Sequence, residues 1–485
     1  MTAPRVVLSV IDGGLGAAQS TDRLLAVFGC SSQGTIGSME QFSDPASLIS
    51  TYGYGPGVSL ALHVLKVSGQ PVIFGRASEG ENSAASAVTH DGSGLSVLTV
   101  GKTDAGKQYF DSHSVRVEVT KGGTAGTDIC RVTLSLDNGV TSLGSYAVPT
   151  ARQIDIPKTN IRLTFSAASL VAGDVYTFDT TAARSTDTGT ADGDVTAMIA
   201  GLQAYASANG GVYASIIADA DYRDAAAVSD IEAALEALSV GQEFVRLYTS
   251  ARPKDDAETT AEWIADISND FSATDAIRCD VGAGQAYVLD PGTGAYVWRT
   301  STWARAARAA STEVHIDSAW VALGSLPDVR SIDYDERARG EVPSLDNERF
   351  STLTSHVGRT GYFVTNPRLM SPPGSDYAYT QYGRVMDKVC RLTYSYFLDR
   401  LSQSVQLTPG SGVIAEADAQ KIEQGMDAIL RAQIVATGNA TAAKCTVSRT
   451  DNLSVPGAPF HVQVAVLPLG YLKDIQIELF FTTNI

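Results

Sequence analysis

Apolar and polar positions change rhythm several times along the 485-residue chain. The run RLLAVFG from Arg23 reads as a buried strand. A helix is expected to open at Asp44, with Pro45 in its first turn, and a second spans roughly 58–67. Strand PVIFGRA (71–77) follows. Helices between apolar strands predict a crossover unit and a parallel sheet. From about Ser78 to Ser185 the rhythm shortens to period two: LSVLTV, SVRVEVT, CRVTLSL, IRLTFSA and DVYTFDT, broken by DGSG, KGGTAG, LDNG and VAGD. That alternation predicts an antiparallel β-sandwich or barrel inserted into the α/β unit.

The helical period returns at GDVTAMIAGLQAYASA, then strand VYASIIAD, helix RDAAAVSDIEAALEAL and strand FVRLYTS. A further helix is expected from Asp255–Asp256 through Trp263, before strand AIRCDV. Hairpins and the short helix WARAARAA occupy 285–340. Strand GYFVTN (361–366) precedes a long helix over roughly 377–402, and another begins near Ala415. Strands KCTVSRT, PFHVQVAV and DIQIELFF close the chain. The expected fold class is an α/β core with an inserted antiparallel β-rich domain, an α+β C-terminal domain and extended terminal strands. The expected boundaries are an N-terminal arm at 1–20, a core at 21–78 and 185–400, and the insertion at 79–184. The C-terminal domain takes 401–470 and a C-terminal arm strand 471–485.

Both ends read as strands. Val6, Val7, Leu8 and Val10 lie in an apolar stretch followed by the glycine-rich GGLG. Near the other end Ile475, Ile477, Leu479 and Phe481 alternate with Asp474, Gln476, Glu478 and Phe480. Chain ends fray unless something holds them, and an unpaired apolar strand invites aggregation. These strands therefore pair within their own domain or add to the sheet of a neighbouring molecule.

Composition narrows the function. Lys and Arg total 36 against 53 Asp and Glu, a formal charge of −17, which argues against general nucleic-acid binding. Charged residues are only 18%, below the roughly 25% usual in globular chains, with 44 glycines. No run is long enough to cross a bilayer, and the apolar stretch 6–11 is too short for a signal peptide. The five cysteines are far apart and read as buried thiols made in a cytoplasm.

Chemistry is sparse. Gly94 to Thr103 mimics a phosphate-binding loop, but six strand-like residues separate its glycines where the motif needs four. Gly57-Val-Ser59-Leu-Ala61 does not follow a strand, and Gly282-Ala-Gly284 opens no helix, so neither a nucleophile elbow nor a dinucleotide loop is present. His315-Ile-Asp317 would place two ligands on one strand face without a third, and His63 and His461 sit among aliphatics as packing residues. The best enzyme-like signal is Asp219-Ala-Asp221 directly after a strand, where two carboxylates would hold a divalent cation against a nucleotide sugar, as in metal-dependent glycosyltransferases. The plainer reading is a helix-capping carboxylate. No enzyme, cofactor or metal is expected.

The order of several phrases resembles the contractile tail sheath proteins of bacteriophages and related contractile injection systems. RVVLSVIDGGLG and RLLAVFGCSSQG are similar to that family's N-terminal strand, linker and core. LISTYGYGPG with PVIFGRAS, LVAGDVYTF (170–178), GYFVTNPR (361–368) and the final helix–strand–strand follow in the family's order. The resemblance implies a virion tail sheath subunit, assembled in the bacterial host cytoplasm as a helical homo-oligomer. Its partners would be copies of itself, the inner tail tube, and baseplate and tail terminator proteins, with no nucleic acid and no membrane insertion. Its arms would add strands to neighbouring C-terminal domains while the insertion protrudes outward. Linkers at Gly13, Gly14 and Gly16, and at Gly457, Ala458 and Pro459, would let rigid domains turn. Glu416, Asp418, Glu423 and Asp427 on the helix near 415–435 would meet basic groups of the tube, or else form a solvated face.

Overall fold

The computed structural model describes residues 21–186, 194–209, 211, 213–334, 341–455, 457–479 and 481. The chain opens with β1 (Leu25–Gly29) and β2 (Met39–Phe42), then α1 (Pro45–Tyr52), α2 (Pro56–Ser68) and β3 (Val72–Arg76). Asp44 caps α1 by accepting the Ser47 amide at 2.8 Å, and Gly69 ends α2 with φ 61°. After the inserted strands come α3 (Val195–Ala208), β4 (Ile216–Asp219), α4 (Ala225–Val240), β5 (Arg246–Ser250), α5 (Thr260–Asp270) and β6 (Cys279–Gly282).

These strands form one sheet in the order β6-β5-β4-β1-β3-β2, parallel except for β2, which runs antiparallel to β3. Every residue of β1 is buried, as expected of a central strand covered on both faces. Val195, Met198, Ile231, Leu235, Trp263 and Ile267 of α3, α4 and α5 pack with one apolar cluster. Leu48, Leu60 and Val64 of α1 and α2 form another with Trp303 and Ala307 of α6 (Thr302–Ser311). The helix expected at Asp255–Asp256 starts later. Thr259 and Glu262 form a reciprocal capping box, with Oε2 of Glu262 accepting the Thr259 amide at 2.9 Å.

His63 of α2 sits in the seam against α6, 5.8 Å from the Trp303 ring, with neither ring nitrogen hydrogen-bonded among the described residues. Burial pushes its pKa down to about 4, against the opposing pull of Asp328. Above the unfolded value of about 6.5 both states hold the ring neutral. As pH falls between these values the unfolded chain takes up a proton that the folded one refuses, so stability declines and is fully lost below the folded pKa. This group should remove about 3 kcal/mol between pH 7 and pH 4. Urea unfolding across that range should show a shallower acid slope in His63→Leu than in the wild type.

The insertion between β3 and α3 is antiparallel. One sheet holds Gly144–Ala147, Arg131–Ser135, His113–Lys121 and Val175–Thr181, and a second holds Gln153–Ile156, Ile161–Phe165 and Leu98–Lys102. Alternate residues Val115, Val117 and Val119 face its own core with Leu134, Leu163 and Phe165. It is seated on the hairpin β7 (Gln285–Leu289) and β8 (Tyr296–Thr300). There the buried Arg299 guanidinium pairs with the buried Asp111 carboxylate, donating from Nη1 at 2.6 Å. The Tyr296 amide donates to Asp137 at 3.0 Å, and Lys158 Nζ to the Gly292 carbonyl at 2.7 Å.

After α7 (Glu341–Asn347), the segment expected as strand 361–366 pairs only at Phe363–Val364. The long helix expected over 377–402 is α8 (Thr380–Leu398), tied to β5 where Arg246 meets Asp387 at 2.6 Å. Then come α9 (Glu416–Leu430), one π-helical turn (Arg431–Val435), and the antiparallel pair β9 (Ala442–Val447) and β10 (Val462–Leu467). Val389 and Tyr396 of α8 join Ile422, Met426, Cys445 and Val447 in a separate apolar cluster.

Candidate assembly interface

The two-stranded sheet β9–β10 has unequal edges. Ser448 donates to the His461 carbonyl at 2.9 Å, and that register continues through Thr446–Gln463 and Lys444–Ala465 as the mutually bonded pairs. The amides of Cys445 and Val447 therefore face away from β10. Helix α9 takes both of them: Asp427 Oδ1 accepts from Cys445 at 2.7 Å and Glu423 Oε1 from Val447 at 2.9 Å. On β10 the same register turns the backbone groups of Val462, Val464 and Val466 outward, away from β9. Their side chains are only partly buried, although they pack against the α8–α9 cluster. One edge is thus covered by side chains from a helix, the usual protection of an exposed strand, and among the described residues the other is open.

The acidic residues of α9 have duties within the subunit. Glu416 and Glu423 both pair with Arg449, Glu416 at 3.1 Å, and Asp418 accepts the Gln406 amide at 2.6 Å. Hydrogen bonding to Arg449 holds the Glu416 and Glu423 carboxyls below their usual range. The exposed positions of the helix are Glu416, Ala417, Gln420, Lys421, Gln424 and Ala428, with Arg431 following in the π-helical turn. Sequence periodicity placed four carboxylates on one helix but could not show that a neighbouring strand would need two of them as acceptors.

The second component is the chain end. Residues 471–479 form neither strand nor helix, so the strand expected from DIQIELFF has no partner within the subunit among the described residues. Ile475 is 65% exposed and Leu479 91%, with Ile477 and Phe481 likewise open. A row of large apolar side chains at period two therefore stands in water. Val6, Val7, Leu8 and Val10 lie outside the described residues. Gly457, Ala458 and Pro459 fall in the loop between β9 and β10, so they do not hinge the arm.

The carboxylate pair after β4 is closed to a cation. Arg223 grips Asp219 from Nε at 2.6 Å and Nη2 at 3.0 Å, and Thr249 donates to the same carboxylate at 3.1 Å. Asp221 is turned toward Ser185, accepting its amide at 3.0 Å and its hydroxyl at 2.8 Å. Burial raises the Asp221 carboxyl. At this end of the sheet, where open α/β folds receive ligands, both carboxylates are taken up by an internal ion pair and by the chain returning from the insertion. Nor does either residue cap α4; Asp224 does, accepting the Ala227 amide at 2.8 Å. His315 and Asp317 do not converge on a metal, and no cluster of potential metal ligands occurs among the described residues. All five cysteines are free, and four of them are buried.

Comparison with known proteins matches residues 3–368 to the DUF2586 N-terminal domain and 376–485 to the DUF2586 C-terminal domain. The chain belongs to the DUF2586 family. No curated protein matches this DUF2586 chain. Among solved structures it is similar to a sheath tail protein from Desulfitobacterium hafniense, 14% identical over 96% of this chain and 100% of that one, TM-score 0.46. A sheath tail protein from Listeria innocua is 12% identical over 91% of this chain and 94% of its own, TM-score 0.45. A chain of the anti-feeding prophage baseplate in its contracted state is 12% identical, with both chains covered at 100% and a TM-score of 0.49.

Proposed function

We propose that this chain is the structural subunit of a contractile tail sheath, polymerising into a helical tube by strand exchange. The observation that carries the reading is the pairing of an open strand edge with an unpaired apolar strand in one molecule. The C-terminal arm of each subunit adds to the outer edge of β10 in a neighbour, with Ile475, Ile477, Leu479 and Phe481 on the apolar side of the enlarged sheet. Asp427 and Glu423 keep β9 from competing for it. Val6, Val7, Leu8 and Val10 supply the reciprocal strand of the N-terminal arm.

The core at 21–78 and 185–400 and the C-terminal domain at 401–470 act as rigid bodies joined across subunits by these strands, with the insertion at 79–184 outward. The inner tail tube lies against the exposed row of α9, which carries Gln420, Lys421 and Gln424 beside Glu416. Baseplate and tail terminator proteins close the ends, and assembly takes place in the bacterial host. Contraction needs no nucleotide if the shorter, wider lattice buries more surface: at ~25 cal/mol per Å², a few hundred Å² per subunit supplies several kcal/mol. Negative-stain microscopy of the purified protein should show tubes, rings or striated polymers. A uniform population of small particles at all concentrations would refute the reading.

A further inference from the structure

The chain does not swing free when β10 ends. Thr441 Oγ1 donates to the Pro468 carbonyl at 3.1 Å, and the Tyr382 hydroxyl to the Leu469 carbonyl at 3.3 Å. The Tyr471 hydroxyl reaches the His315 carbonyl at 2.6 Å, in the segment after α6. Tyr471, Tyr382 and Tyr379 form a row, with ring centroids 5.6 Å and 5.9 Å apart. Lys473 closes the set. Its ammonium pairs with the Asp317 carboxylate, donates to Asn366 Oδ1 at 2.7 Å and lies 4.7 Å from the Tyr379 ring centroid. Asp317 is itself fixed, accepting from the Ala319 amide at 2.9 Å and the Gln381 side chain at 3.2 Å.

Beyond Lys473 the contacts stop: residues 474–479 are all exposed. Four segments therefore converge on residues 468–473: residues 315–317, the approach to α8 at Asn366, the start of α8 at 379–382, and Thr441 just before β9. An isolated exposed ion pair contributes little. Here Asp317 is 10% exposed, and the pair is combined with tilted and edge-on ring contacts and two partly buried hydrogen bonds.

We propose that Asp317 and Tyr382 are positioning residues that fix where the C-terminal arm leaves the subunit, so that its free part begins at Asp474. This rests on the assembly reading above. A held root presents the strand in one direction, whereas a chain loose from Pro468 would have six more residues to order on capture. The root also ties the segment following β10 to the core, so the arm moves with the core rather than with the β9–β10 loop.

The test uses the full chain as Asp317→Asn, Lys473→Gln and the double variant, each first checked for an unchanged melting temperature. Dispersed subunits are trimmed with a non-specific protease and weighed by intact mass. The wild type should be trimmed back only to about residue 474 and the variants to about 468. At equal concentration each single variant should form about tenfold less polymer, with the double variant no worse than either single one. The proposal is overturned if all four proteins trim to the same residue, or if both single variants polymerise within about twofold of the wild type. Should the wild type itself form no polymer, the assembly reading fails. The trimming pattern still decides whether the root is held.

Discussion

A chain ending at Lys473 should melt within about 2 °C of the full protein and form no tubes. Of the removed residues that the structure describes, Ile475, Ile477, Leu479 and Phe481 all stand in solvent outside the subunit core. In the polymer they become buried, and at roughly 1.5–3 kcal/mol per large apolar side chain the four together favour capture by about 6–12 kcal/mol before ordering costs. Ordering the strand offsets a good part of this, yet even a few kcal/mol per contact multiplies over a helical lattice. Sedimentation of the truncated chain beside the wild type, with melting followed by circular dichroism, separates lost assembly from lost folding. Deletion of residues 1–14 should likewise abolish the tubes. Normal tubes from either truncated chain would mean that subunits cohere without exchanged arms.

Asp111→Ala should cost about 3–5 kcal/mol. Arg299 and Asp111 are 5% and 3% exposed and face each other across the seam between the insertion and the β7–β8 hairpin. Removing the carboxylate strands a guanidinium where water does not reach, while Arg299→Leu with Asp111→Leu removes both members of the pair and should be milder, its residual cost falling on the buried Asp290 carboxylate that Arg299 also favours. The contrast between single and double variants in denaturant unfolding measures the penalty of the orphaned charge. If Asp111→Ala costs less than about 1 kcal/mol, the seam is wetter than the packing of Ala295 into the insertion's core implies.

The parallel sheet was legible because β1, β3 and the strands after it are nearly continuous apolar runs punctuated by Asp caps and glycine stops. The insertion was legible because its strands keep period two. Boundaries failed where a side chain rather than a pattern decides them: Thr259 with Glu262, not Asp255, sets the start of α5. The terminal alternation marked an apolar segment whose side chains stand in solvent at Ile475, Ile477, Leu479 and Phe481, but several decisive features are invisible in one dimension. Asp219 meets Arg223 through ordinary helical spacing, yet only the sheet shows that Thr249 joins them and closes the carboxylate. Glu423 and Asp427 read as a charged helix face because nothing local shows that they lie beside amides some twenty residues later. Tyr471 and Lys473 look like two more residues of the arm. Their partners at 315–317 and 379–382 are about 90 to 160 residues away, a separation that no local pattern can bridge.

The most direct measurement is a helical reconstruction of the polymer at side-chain resolution. Residues 475–481 of one subunit should run as a strand along the outer edge of β10 in another, bonded to the backbone of Val462, Val464 and Val466, with β9 still capped by Asp427 and Glu423. An arm folded onto its own β10, or a β10 edge left empty in a well-formed tube, would contradict the exchange of strands between subunits.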